Sequence, residues 1–148
     1  MRKMVDEIDM KILRELSLDS RCTYEKLASK IGISVPTAYN RVRKLIKKGI
    51  IKKFTIDIDY TKIGYPIRAL VGVIIDPRHS ADARTEFQNL DNVIKVIEVT
   101  GRFDYILDVV ATSTDELKDL LTEKMSKIRG VMKTETMIQV FSFEKPVI

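Results

Sequence analysis

Ala28 to Lys53 reads ASKIGISVPTAYNRVRKLIKKGIIKK. Ala28 stands before Gly32 and Ser34, and a run with helical periodicity follows. A small side chain at Ala28 suits a close crossing of two helices. Gly32 can take the positive φ that a tight interhelical turn often requires. Ser34 can cap the next helix through its hydroxyl. Pro36 is tolerable only in a first turn, where its missing N–H is not needed. The second helix is therefore predicted to begin near Val35 and to end before Gly49, where a glycine closes a helix. From Arg41 to Lys53 there are seven basic residues and no acidic one. A short helix, a glycine turn and a basic second helix form the pattern of a helix-turn-helix that reads duplex DNA.

Spacing side chains by about 100° divides the second helix into two faces. Val35, Ala38, Val42, Leu45 and Ile46 form the side expected to be buried. Thr37, Asn40, Arg41, Lys44 and Lys47 form the other side, with Pro36 and Arg43 at its edge and Tyr39 at the boundary. Thr37, Asn40 and Arg43 suit contacts to base edges in a major groove. The later lysines suit phosphates, which add affinity without sequence information. The predicted DNA-contacting set is Ser34, Pro36, Thr37, Tyr39, Asn40, Arg41, Arg43, Lys44 and Lys47. A solvated amphipathic helix would also be basic, but the Ala–Gly–Ser spacing is an independent feature that points to a DNA reader.

The charge is unevenly spread along the 148 residues. Residues 1–60 hold 14 Lys and Arg against 8 Asp and Glu, whereas residues 61–148 hold 12 against 13. The positive excess is confined to the front, as expected if only that part faces a polyanion. The single cysteine, Cys22, excludes an intramolecular disulfide. The N-terminal MRKMVDEIDM lacks the apolar run of a signal peptide, and no stretch reaches the ~18–20 apolar residues of a membrane span. A soluble cytoplasmic protein is expected. His79, the one histidine, has no clustered cysteine or carboxylate, so no metal site is predicted.

Asp6 to Leu18 reads as a first helix capped by Asp6, and Thr23 can cap a second over Tyr24 to Ile31. The segment Ile50 to Asp59 alternates in part through Ile51, Phe54, Ile56 and Ile58, and is predicted as a linker strand or wing. Gly64-Tyr65-Pro66 breaks the pattern. Residues 1–60 are thus expected to form the DNA-binding domain with its linker, and 65–148 a second domain. The second part reads as strand 68–75, helix 80–90, strand 93–100, strand 105–111, a helix opened by the capping box Ser113 to Glu116, and strand 131–143. This βαββαβ order gives an α+β chain whose second half is a ferredoxin-like antiparallel sheet with two helices on one face. The uncovered face is expected to carry residues such as Val71 or Val96, and a partner subunit is the expected cover.

At these residues the chain resembles the Lrp/AsnC, or feast/famine, family of prokaryotic transcription regulators. The resemblance is carried by Asp6-Glu7-Ile8-Asp9, by Leu27-Ala28 with Gly32-Ile33-Ser34, and by Arg41-Val42, Leu45 and Gly49-Ile50-Ile51. It continues in Thr100-Gly101 with Asp104-Tyr105, and in Gly130-Val131 with Thr134-Glu135-Thr136. It covers nearly the whole chain. It implies a winged helix-turn-helix joined to a βαββαβ regulatory domain. It also implies a homodimer formed through the sheet, a larger ring of dimers, and a small-molecule effector, commonly an amino acid, bound between regulatory domains. The turn from Gly101 to Asp104 matches the family's glycine-to-aspartate turn beside the effector cleft. There a backbone N–H at Gly101 and the Asp104 carboxylate would meet an amino acid's carboxylate and ammonium. A hairpin turn would favour glycine and aspartate in any case. Thr134 and Thr136 lie two apart on the last strand, with hydroxyls on one side, and match family positions near the same cleft. With Thr100 and Arg102 these complete the expected effector residues. Arg102 departs from the family pattern, where an acidic residue is common, and bears on which ligand binds.

No nucleophile–base pair, metal cluster or glycine-rich phosphate loop is visible, so no catalytic residue, cofactor or enzyme activity is expected. The leading expectation is a sequence-specific transcription regulator acting on double-stranded DNA. The alternative is a low-specificity DNA-compacting protein in which the same basic helix only grips backbone.

Overall fold

The computed structural model describes residues 4–148. The chain divides into two compact units. One extends to Asp57 and takes in Phe143–Ile148, and the other is Ile58–Ser142.

The first unit is built on α1 (Glu7–Leu18), α2 (Tyr24–Ile31) and α3 (Val35–Lys47). Local capping fixes their starts. Asp6 accepts from the Asp9 N–H at 2.9 Å, and Asp9 accepts in return from the Asp6 N–H. Thr23 caps α2 and Ser34 caps α3. Gly32 adopts φ 79° and closes α2 in the left-handed region, as the sequence requires. The core consists of Ile12, Leu27, Ala28, Ala38, Val42 and Leu45. The stripe of α3 is thus Ala38, Val42 and Leu45, narrower than expected. Val35 and Ile46 are 39% and 44% exposed, not buried. Two short partner helices cover little more than one row of α3 side chains.

The expected strand over Ile50 to Asp59 is not present. This segment pairs with no strand, and Phe54, Ile56 and Ile58 along it are exposed. Partial alternation is enough to extend a chain, but a ladder needs a neighbour, and the described residues supply none here.

The second unit runs β1 (Ile67–Ile75), α4 (Ser80–Gln88), β2 (Val93–Glu98), β3 (Tyr105–Ala111), α5 (Thr114–Asp119) and β4 (Val131–Ile138). This is the expected βαββαβ order. The strands form one antiparallel sheet in the order β2-β3-β1-β4. Beyond α5 the chain continues as a π-helical turn, Leu120–Lys124, and a 3-10 turn, Met125–Lys127. The last strand stops at Ile138, short of the expected Phe143. The Gln139 N–H makes a final bond to the Arg68 carbonyl.

Ala69, Val71, Val73 and Ile75 of β1 pack with Tyr105, Leu107, Val109 and Ala111 of β3 under Ala83, Phe87, Leu117, Leu120 and Met125. Val71 is therefore fully buried beneath the helices, and Val96 packs against the same cluster. This corrects the expected pleat by one residue, which moves every side chain to the other face. The open face carries Leu70, Gly72 and Ile74 of β1, Ile106 and Val110 of β3, Ile97 of β2 and Met137 of β4. On this face the Arg68 guanidinium donates twice to the Asp108 carboxylate, at 3.0 and 2.8 Å. The ring of Tyr60, in the 3-10 turn Tyr60–Ile63, lies 5.7 Å from that guanidinium.

Asn92 and Glu116 lock the start of β2 to the β3–α5 corner. The buried Asn92 amide donates to the Val110 carbonyl and to Glu116, which also accepts from the Thr112 N–H and hydroxyl. These bonds, those of Thr112 first, hold the Glu116 carboxyl below its ordinary value.

Candidate nucleic-acid interface and effector turn

On α3 the burial of Ala38, Val42 and Leu45 leaves Pro36, Tyr39, Asn40, Arg43, Lys44 and Lys47 exposed. Ser34 is spent locally. Its hydroxyl accepts from the Thr37 N–H at 3.3 Å and lies 2.7 Å from the Thr37 hydroxyl, which is itself half-buried. Lys44 and Lys47 have no carboxylate within ion-pair distance among the described residues. Their charge is available to an outside anion.

Arg41 behaves differently from the exposed cation expected of it. It is half-buried, and its Nη1 bonds both Asp6 and, at 3.1 Å, Asp9. The capping carboxylates at the start of α1 thus neutralise it, and the Arg41 hydrogen bond is the leading cause that lowers the Asp6 pKa. Capping at Asp6 was legible locally. The pairing across 35 positions was not, because nothing in local spacing encodes it. Beside this pair lies a groove of about 500 Å³ bounded by Thr37, Asn40, Arg41, Lys44 and Lys48 on one side and Asp6 and Asp9 on the other.

Arg43 is held from the side. Its Nη1 donates to the Tyr39 hydroxyl at 3.0 Å, and its guanidinium carbon lies 5.7 Å from the Tyr39 ring centre. Tyr39 in turn meets the edge of the Tyr24 ring from α2, with centroids 5.3 Å apart and planes at 77°.

The expected effector residues divide between the two faces of the sheet. Gly101 has φ 129°, open to glycine alone among common residues, and sits with exposed Thr100 in the β2–β3 turn. Arg102 pairs with Glu135 at 2.6 Å and lies 5.3 Å from the Phe103 ring centre. Glu135 is the register partner of Gly72 on the open face, and Phe103 covers that glycine, where a Cβ would sit 2.7 Å from the ring. Thr134 and Thr136 are half-buried opposite Val73 and Val71, on the helix side. Asp104 is engaged within the chain. Its Oδ2 accepts from the Ile75 N–H at 2.8 Å, while its own N–H donates to the Val73 carbonyl. No hydrogen bond to its Oδ1 occurs among the described residues.

Cys22 is half-buried, with its thiol against the Thr23 carbonyl. No cluster of three or more His, Cys, Asp or Glu side chains that could hold a metal occurs among the described residues. Nor, among these, is any helix long and apolar enough to cross a membrane.

Two known families match separate stretches of the chain. Residues 5–52 match the winged helix-turn-helix DNA-binding family. Residues 68–144 match the Lrp/AsnC ligand binding domain. An uncharacterised HTH-type transcriptional regulator of Pyrococcus furiosus is 36% identical over 135 residues, which span 91% of each chain. Among solved structures, Escherichia coli AsnC superposes with a TM-score of 0.87 at 29% identity, over 98% of each chain. A transcriptional regulator of Neisseria meningitidis, solved as a complex with L-Met, gives a TM-score of 0.90 over 97% of this chain and 94% of that one. At 19% identity this last likeness concerns the fold alone.

Proposed function

The chain belongs to the Lrp/AsnC family of transcription regulators, and from that premise we propose that α3 enters the major groove of duplex DNA and reads it by sequence. Asn40 and Arg43 contact base edges, Pro36, Thr37 and Tyr39 line the approach, and Lys44 and Lys47 grip phosphates. Ser34 sets the entry of α3, and Arg41 acts from behind as a strut to α1. Residues 1–60 serve as the DNA-binding part and 65–148 as the regulatory part. The observation that carries this reading is the exposure of Asn40 and Arg43 on the face opposite Ala38, Val42 and Leu45.

A homodimer closed over the open sheet face, whose Leu70, Ile97, Ile106 and Met137 otherwise meet water, would offer two α3 helices. Two successive major grooves on one side of a duplex lie about 34–36 Å apart. Dimers assemble further into a ring. A small-molecule effector, an amino acid, binds beside Thr100, Gly101, Arg102 and Asp104 with Thr134 and Thr136. It acts by binding one assembly state better than another. The protein works on the chromosome in the cytoplasm and performs no catalytic step.

The test is competition between sequences selected from a randomised duplex pool and the unselected pool, at fixed salt. A preference of about a thousandfold or more marks a sequence reader. A ratio near one marks a DNA-compacting protein and removes the proposal. A thermal-shift screen of the standard amino acids tests the effector, because a ligand of the folded state raises Tm by mass action. A flat response across the set removes that part.

A further inference from the structure

Arginine is a long side chain with about 2 kcal/mol of rotamer entropy to lose when it is fixed. An exposed arginine that must meet one base edge therefore profits from being held before it arrives. Arg43 is so held. Tyr39 stands one helical turn before it and accepts from Nη1, leaving Nε, Nη2 and the second Nη1 proton without a partner among the described residues. Tyr39 is 42% exposed and would be a loose support alone. Its ring is fixed by the edge of Tyr24, and Tyr24 packs against the core of the first unit. A continuous line of contacts thus runs from the α1–α3 core through α2 to the exposed face of α3.

We propose that Tyr24 and Tyr39 are positioning residues for Arg43, fixing its guanidinium so that the free edge recognises a base with two adjacent acceptors in the major groove, as guanine presents through O6 and N7. The inference rests on the reading of α3 as the DNA reader and adds to it a specified base and the residues that set the preference. Arg41 supplies the internal contrast. Two positions earlier on the same helix, it is turned to Asp6 and Asp9 and cannot make such a contact without breaking both bonds.

The full chain and four variants are tested against duplexes selected from a randomised pool by the parent protein, and against the unselected pool, at one salt concentration. Arg43→Ala is expected to lose the preference for guanine at one position of each half-site. Tyr39→Phe keeps the ring but removes the acceptor, and is expected to lower the preference about fivefold, the factor one ordinary hydrogen bond supplies. Tyr24→Leu keeps apolar packing but removes the aromatic edge, and is expected to lower it about two- to threefold. Tyr24→Phe restores the ring and should match the parent. Affinity for the unselected pool should stay within about twofold in the two Tyr24 variants, because the cations of α3 are untouched. If Tyr39→Phe and Tyr24→Leu keep the guanine preference while Arg43→Ala loses it, the positioning role is overturned and the base-reading role stands. If Arg43→Ala also keeps it, the base-reading assignment fails as well. Equal loss on both DNA pools, with a fall in Tm, reduces the two tyrosines to structural residues and overturns the proposal.

Discussion

On α3, Lys44 and Lys47 carry their charge without a carboxylate partner among the described residues, and Arg43 is offered only a neutral hydroxyl. On the open face of the sheet the opposite holds. Arg68 is clamped to Asp108 and Arg102 to Glu135. The two surfaces differ in how their charge is matched within the chain. A helix that meets a polyanion gains by leaving cations unmatched, since each phosphate it neutralises releases counterions. A sheet face that meets protein cannot bring an unmatched charge into the contact without a desolvation cost. Lys44 and Lys47 on α3 are thus left for an outside anion, while Arg68 and Arg102 on the sheet are matched within the chain.

That contrast can be broken most forcefully at Asp108. It is 8% exposed, and Asp108→Ala removes the two hydrogen bonds that it accepts from the Arg68 guanidinium on the open face. The expected loss in denaturant unfolding is about 2–3 kcal/mol, below the full value for a buried pair because the Arg68 side chain retains 36% exposure. Next in size is Lys47→Ala. This should weaken every duplex alike and reduce the slope of log affinity on log salt by about one contact. A change confined to selected sequences would instead make Lys47 a base reader. The smallest effect concerns acid. The Asp6 carboxyl is held below its ordinary 3.8 by Arg41. Its stabilisation is therefore fully present above that ordinary value and is lost as pH falls through the lowered one. Glu116 acts in the same sense in the second unit, with Thr112 as the first cause. Asp6→Asn and Glu116→Gln should each flatten the acid limb of a stability–pH curve and leave it unchanged near neutrality in slope. A steepened limb would contradict the pairing of these carboxylates.

The features legible in the sequence were those with local causes. Capping by Asp6, Thr23 and Ser34, the left-handed turn at Gly32 and the Pro36 start of α3 each involve residues within a few positions of one another. The βαββαβ order was legible for the same reason, through period and turn residues. The face of β1 was not. Its run Arg68-Ala69-Leu70-Val71-Gly72-Val73-Ile74-Ile75 is apolar at both parities, so alternation cannot say which side meets the helices. The widths of buried stripes were also hidden, since Val35 and Ile46 satisfy the period of α3 but find no neighbour to cover them. Long-range polar pairs such as Arg41 with Asp6 and Arg102 with Glu135 follow from packing. Among the residues expected to meet an effector, the separation of Arg102 from Thr134 and Thr136 is a matter of pleat parity, which spacing along one strand does not reveal.

Gly72 and Phe103 are far apart in sequence, yet the ring occupies the volume that any β-carbon at 72 would claim. The two positions therefore cannot drift independently. Alanine at 72 would evict the ring, and with it the guanidinium of Arg102 that rests beside it. In related chains a bulkier residue at the first position is expected to accompany a smaller one at the second. The hairpin and the surface beneath it behave as a single inherited shape.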